Sequence, residues 1–214
     1  MAAISGGKNY HHGDLRNALI GAAVDLATEG GPERVVLREA ARRVGVSPTA
    51  AYRHFDGRGE LLAAVREHAR RVLADSMERA AVRAPGADDP ALAAEARLAA
   101  LCRGYVAFAV DHPGLYRSAF STPRTASGHS DHDADASGAE VRAFTLLTDA
   151  LAALAATARP PRPARPAAEA AAWSAVHGLS LLLLDGPLCR LPAQRRADVV
   201  ESTLAMVVSG TRAD

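Results

Sequence analysis

Three features of the 214-residue sequence predict an all-α fold. Alanine occurs 49 times, and it is the strongest helix former and a poor strand residue. Apolar residues recur at helical spacing in segment after segment, and no run alternates apolar with polar as a half-buried strand does. Aromatics make up only 4% of the chain, so the interior has to be built from small and aliphatic groups. Hydrophobic residues at 49% and charged residues at 23% are ordinary globular usage and exclude a wholly disordered chain. Lys8 is the only lysine among 25 basic residues.

The elements follow in order. Leu15, Leu19, Ala22, Ala23 and Leu26 share one helix face, and Gly30-Gly31-Pro32 stops that helix. Leu37, Ala40, Ala41 and Val44 repeat the pattern over two turns, with Gly45 placed for a left-handed C-terminal residue. Ser47-Pro48 gives an N-cap and first-turn proline to a third short helix running through Ala51 to His54. Asp56 is expected to cap a fourth helix bearing Leu61, Leu62, Val65, Ala69, Val72 and Leu73. Ala84-Pro85-Gly86 breaks the chain, and Asp89-Pro90 restarts a helix that runs to His112-Pro113, followed by a helical turn over 115–120. Residues 121–138 hold no large apolar side chain and read as a loop. Val141, Phe144, Leu147, Leu151 and Leu154 mark another helix, ended by a stiff proline-rich linker over 160–166. Two last helices span 168–184 and 193–209.

Charge narrows the function. The net charge is only +1, so nucleic-acid binding has to come from a local arrangement. Leu37 to Phe55, LREAARRVGVSPTAAYRHF, supplies one. Two short helices joined by a tight turn containing glycine describe a helix-turn-helix. Ala41 lets the helices approach, Val44 and Val46 plug the joint, and Thr49, Ala50 and Arg53 face outward at the second helix. Between Val36 and Arg58, five arginines (Arg38, Arg42, Arg43, Arg53, Arg58) outnumber two acids, Glu39 and Asp56. The positive charge is therefore concentrated where a phosphate-binding face requires it.

The run Tyr10-His11-His12-Gly13-Asp14-Leu15-Arg16, the helix ending Glu29-Gly30-Gly31, and LREAARRVGVSPTAAYRHF followed by Gly57-Arg58-Gly59-Glu60-Leu61-Leu62 resemble the N-terminal domain of TetR-type transcriptional regulators. The resemblance covers residues 10–65 without a gap. It implies that Ser47 to His54 form the recognition helix, with Thr49 and Ala50 at its groove-facing start and Pro48 and Tyr52 beside them. It also implies phosphate contacts from Tyr52, His54 and Arg58; the local charge pattern, and not the resemblance, adds Arg38, Arg43 and Arg53 to the DNA-binding set. A core role for Tyr52, packed on Phe55, is the alternative. Three positions depart from the family pattern: Val36 in place of a capping Thr or Ser, Ala51 in place of a larger aliphatic, and Gly59 in place of an acid.

Ala172-Trp173-Ser174-Ala175-Val176-His177-Gly178-Leu179, with Asp185-Gly186 following and with Tyr105 to Ala109 and His112 to Tyr116, resembles the Trp-His-Gly type of TetR regulatory domain. That resemblance implies a helical effector-binding domain and a homodimer formed by the last two helices. The expected division is a DNA-binding domain over 1–60 and an effector-binding and dimerisation domain over 61–214. Val176, Leu179 and Leu183 on one helix, with Val200, Leu204, Val207 and Val208 on the other, give stripes wide enough for a dimer seam. The same stripes would equally serve the monomer's own core.

Tyr105, Phe108, Tyr116, Phe120, Phe144 and Trp173 hold most of the aromatics, and with His177 they are the candidate effector site. Ordinary core packing, and for His177 a hydrogen-bonded structural role, stand as alternatives. His129-Ser130-Asp131-His132-Asp133 has metal-ligand residue types but no rigid scaffold, so no metal and no cofactor is expected. Cys102 and Cys189 show no ligand spacing, and no nucleophile elbow, phosphate loop or catalytic carboxylate pair occurs. No segment reaches the roughly 20 apolar residues of a membrane span.

The expectation is therefore a cytoplasmic, non-enzymatic, homodimeric repressor of a palindromic operator on double-stranded DNA, released by a small apolar effector. Its rivals are a regulator without an effector and a small-molecule-binding protein with a vestigial helix-turn-helix.

Overall fold

The computed structural model describes residues 12–121, 138–157 and 167–212. The loop expected over 121–138, the linker over 160–166, the His129 to Asp133 run, Tyr10 and His11 lie largely or wholly outside the described residues. Those described form nine α-helices and one short 3-10 turn, with no strand. The helices are α1 (His12–Gly30), α2 (Leu37–Val44), α3 (Pro48–Ala51), α4 (Arg58–Val82), α5 (Pro90–Asp111), α6 (Pro113–Ala119), α7 (Gly138–Ala156), α8 (Ala168–Leu184) and α9 (Ala193–Arg212). The 3-10 turn, Pro32–Arg34, lies between α1 and α2.

Local chemistry sets the helix ends. Gly45 has φ 78°, the left-handed conformation that closes α2, and its N–H bonds back to the Ala41 and Arg42 carbonyls. Ser47 caps α3 by accepting the Ala50 N–H, and Asp89 caps α5 by accepting the Ala91 N–H. Val36 gives α2 no side-chain cap. The expected Asp56 cap on α4 is corrected: Gly57 occupies the N-cap, and the Glu60 carboxylate accepts the Asp56 N–H at 2.9 Å. A third-position glutamate reaching back past the helix start satisfies an amide that the helix leaves unpaired.

Leu19, Ala23 and Leu26 of α1, Leu37, Ala40 and Ala41 of α2, Ala51 and Phe55 after α3, and Leu61 and Val65 of α4 build the N-terminal core. The α4 helix continues into the second half, where it packs on α5, α6 and α7. Gly104 lets α5 rest on α4: a Cβ there would stand 2.7 Å from Met77 Cα and from the Ser76 carbonyl oxygen. Ser76 Oγ donates to the Gly104 carbonyl at 3.0 Å and locks the crossing. Gly114 does the same for α6, whose start lies directly on the Ala27 and Thr28 carbonyls of α1. The expected division near residue 60 thus falls in the first turn of a continuous helix, and α6 bridges the two halves.

Four of the seven residues of the dimer stripe read from the sequence lie in the core of the single chain. Val176, Leu179, Leu183 and Leu204 are 1%, 5%, 4% and 2% exposed in the single chain. They are core, because the same apolar periodicity serves an inner partner as well as an outer one. Val200, Val207 and Val208 are half-buried against that core. The outer surface of α8 and α9 carries Leu181, Leu182 and Met206 instead, with Ala171, Ser174 and Gly178 between. No helix among the described residues is long and apolar enough to cross a membrane.

Candidate nucleic-acid interface and ring cluster

Ala51 and Phe55, four residues apart, are 0% and 1% exposed and pin the second helix of the helix-turn-helix to the core. The side chains off that line are exposed or half-buried. Ser47, Pro48, Thr49 and Arg53 are exposed, and Ala50 and His54 are half-buried. Tyr52 is 48% exposed, so its phenol stands on the surface and not against Phe55. The Arg16 guanidinium covers the Phe55 ring instead, 4.7 Å from its centroid. The regular α-helix covers only Pro48–Ala51; residues 52–54 continue it as turns whose N–H groups bond back to Pro48, Ala50 and Ala51.

The five arginines divide into two groups. Arg43 donates both terminal nitrogens to the Glu29 carboxylate at 2.7 Å, and Arg42 donates to Glu39 at 2.9 and 2.7 Å. The Arg42 hydrogen bonds hold the Glu39 carboxyl down to about 2. Arg58 donates Nε to the Val35 carbonyl at 2.9 Å and Nη2 to the Pro32 carbonyl at 2.7 Å. Arg43 and Arg58, both expected to meet DNA, thus each commit two guanidinium nitrogens to partners within the protein. Arg38 and Arg53 are exposed and make no ion pair among the described residues.

The candidate effector residues converge in the second half. His177 Nδ1 lies 2.8 Å from the Tyr105 hydroxyl and 3.0 Å from that of Tyr116. Phe120 meets the His177 ring edge-on at 4.7 Å, and Tyr105 meets Trp173 edge-on at 5.3 Å. Two residues sit at the margins: Phe108 is 1% exposed behind Tyr116, while Phe144 is 42% exposed and touches Trp173 at 6.0 Å. Burial pushes the Tyr105 phenol far above its ordinary value and holds the His177 imidazole below its own. No cluster of metal-ligating side chains occurs among the described residues.

The family model for bacterial regulatory proteins of the tetR family matches residues 19–65. A second model, the tetracyclin repressor-like C-terminal domain, matches residues 98–207, which is more than half of the chain. The chain belongs to the TetR family. It is a DNA-binding transcriptional regulator. The C-terminal match is to the tetracyclin repressor-like domain as a whole and does not single out the Trp-His-Gly type.

Among solved structures, a protein of unknown function from Rhodococcus sp. RHA1 is 28% identical with a TM-score of 0.69, covering 96% of this chain and 100% of that one. A regulatory protein of the tetR family from Rhodococcus RHA1 is 24% identical with a TM-score of 0.61, over 90% and 96% of the two chains. A TetR family transcription regulator from Marinobacter aquaeolei VT8 has a TM-score of 0.55 at 16% identity, over 91% and 94%. The last two show the shared fold. Among curated proteins, none matches in sequence.

Within this TetR chain, two classes of residue escape a sequence reading. Glu29, the clamp on Arg43, lies 14 positions away on another helix, and the acceptors of Arg58 are backbone carbonyls. Glu60 is different: its position three residues into α4 is a local capping signal that the sequence does carry.

The histidines of this TetR protein give a pH prediction. Burial keeps His177 neutral to lower pH than usual, and burial, aided by the Arg71 charge, does the same for His68. Unfolding frees both to take protons, so the unfolded state gains on acidification. The stability tied to their neutrality is complete above the ordinary value of 6.5 and is lost as pH falls below it. Thermal unfolding at about pH 7.5 and 5.5 should show a drop that shrinks in His177→Gln. An undiminished drop would assign the pH dependence to other groups.

Proposed function

We propose that this regulator is a cytoplasmic homodimeric repressor, released from a palindromic operator when a small apolar molecule enters the ring cluster. The observation that carries the reading is the convergence of Tyr105, Tyr116 and His177 within hydrogen-bond distance, walled by Phe120 and Trp173. Apolar walls with a few convergent polar groups are the usual make-up of a small-molecule site. Tyr116 and Phe120 belong to or follow α6, whose Gly114 lies on α1, so a molecule that displaces them acts on the DNA-binding half. Arg70 of α4 also donates to the Ala119 carbonyl at the end of α6, at 3.1 Å. The effector works only through different affinities for the two states. Titration of the protein–operator complex with apolar compounds tests this; release by none of a broad panel would contradict it. The direct contacts among the rings favour a second reading, a regulator with no small-molecule effector.

A dimer is supported by the outer face of α8 and α9. A groove of about 380 Å³ runs between the two helices, lined by Ala171, Ala175, Thr203, Met206 and Gly210. Met206 is 74% exposed, and small residues allow close helix approach. Two recognition helices about 34–36 Å apart read half-sites one turn apart, which a single short helix does not. Ala175→Glu places a charge in that face and should give a monomer by sedimentation, with operator affinity reduced at least about tenfold. An unchanged dimer would place the interface elsewhere.

Thr49 and Ala50 at the start of α3, with Ser47 and Pro48, are assigned to the groove, and Arg38, Tyr52, Arg53 and His54 to the backbone. Arg53→Ala should weaken binding to all sequences alike and lower the salt slope by about one, whereas Thr49→Ala should alter sequence preference. Finding the two effects exchanged would reverse the assignment.

A further inference from the structure

The first turn of α4 carries two side chains of opposite charge that reach different parts of the DNA-binding half. Glu60 accepts from the Arg16 guanidinium of α1 at 3.0 Å and from the Asp56 N–H in the turn after α3 at 2.9 Å. Arg58 reaches back to the connector between α1 and α2, with Nε 2.9 Å from the Val35 carbonyl and Nη2 2.7 Å from the Pro32 carbonyl. Nε and Nη2 form one edge of the planar guanidinium, and two acceptors on that edge use its fixed fork geometry. The Glu33 carboxylate stands 3.5 Å from the same Nη2. The Nε–Nη2 edge of this guanidinium is therefore occupied, with a carboxylate beside it.

The acceptors explain what the contact does. Val35 is buried and leads into Val36, the N-cap residue that gives α2 no side-chain bond. The entry to α2 therefore lacks the usual local anchor, and Arg58 supplies one from another helix. From α2 the constraint passes to the recognition helix through the Gly45 turn, where the Val46 N–H bonds the Ala41 carbonyl at 3.0 Å. We propose that Arg58 is a positioning residue for DNA recognition, fixing α2 and the recognition helix to α4, and not a phosphate contact. The proposal rests on the assignment of residues 37–55 to the DNA-facing unit. Any movement of α4 that breaks the fork then loosens the recognition helix directly.

The test uses full-length Arg58→Met and Arg58→Lys, each compared with wild type in two measurements. The first is hydrogen exchange of the DNA-free protein over residues 32–40, with residues 98–109 of α5 as the internal control. Loss of the fork should speed exchange at 32–40 by about fivefold or more in both variants, leaving α5 unchanged. The second is titration with a duplex selected from a random library and with a scrambled duplex, each at several salt concentrations. Specific affinity should fall about tenfold in both variants, the size expected for losing a charge-assisted hydrogen bond. The salt slope and the scrambled-duplex affinity should stay at wild-type values.

A phosphate contact predicts otherwise: unchanged exchange, a slope shallower by about one in Arg58→Met, and near-wild-type binding by Arg58→Lys. That pattern overturns the proposal. Should Arg58→Met fail to fold, Arg58→Lys keeps the stem and charge and decides between the two outcomes. If wild type selects no sequence at all, the assignment of 37–55 fails, while the exchange measurement still decides whether Arg58 fixes the connector.

Discussion

Gly114→Ala is expected to lower the thermal midpoint by about 6–12 °C. A Cβ at this position overlaps the Ala27 carbonyl oxygen and comes within 2.8 Å of the Thr28 carbonyl oxygen. Both are backbone atoms of α1, so neither side can give way by a rotamer change. Relief requires α6 to lift from α1, taking with it the buried Leu115 and Tyr116. Overpacking against backbone costs about 3 kcal/mol, and in a chain of this size each kcal/mol is worth about 2–4 °C. Gly21→Ala is the matched control: its Cβ meets nothing within 4 Å. There the helical preference of alanine should stabilise by about 0.5–1 kcal/mol. Circular dichroism melts of the two variants decide the matter, and equal midpoints would mean that α6 is not seated on α1 as described.

Phe55→Ala is expected to cost about 3–5 kcal/mol, the usual range for removing a buried phenylalanine. The ring is 1% exposed, shares the core with Leu19, Leu37 and Leu61, and carries Arg16 on its face. Its loss frees the turn after α3, so recognition fails before the second half unfolds. Operator binding at 37 °C should disappear while α5 keeps its protection from hydrogen exchange. A variant that still binds with wild-type affinity would show that Phe55 does not seat the recognition helix.

Local signals were legible. Gly45, Ser47-Pro48 and Asp89-Pro90 act within one turn of their own residue, and each ends or starts a helix where the sequence places it. The helix-turn-helix was readable for the same reason, since a glycine turn and two short apolar patterns are contiguous. Long-range choices were not legible. Val176, Leu179, Leu183 and Leu204 have the spacing of a seam, but periodicity names a face without naming its partner, and the single chain buries all four. Excess positive charge between Val36 and Arg58 pointed to phosphates, yet Arg43 pairs with Glu29 and Arg58 with two carbonyls. Gly114 shows the limit most plainly: its missing side chain matters because of α1, some 87 residues earlier. The ring cluster lies between, for the aromatics were visible in the sequence while their meeting around His177 depends on the packing of α5, α6 and α8.

Leu37 to Phe55 should read a specific operator as one half of a dimer. The deciding measurement is titration of the purified protein with the duplex flanking its own gene, at several salt concentrations. Binding should be sequence-specific, with two subunits per palindromic site and a steep fall in affinity with salt. Weak binding that ignores sequence, or one subunit per site, would contradict it.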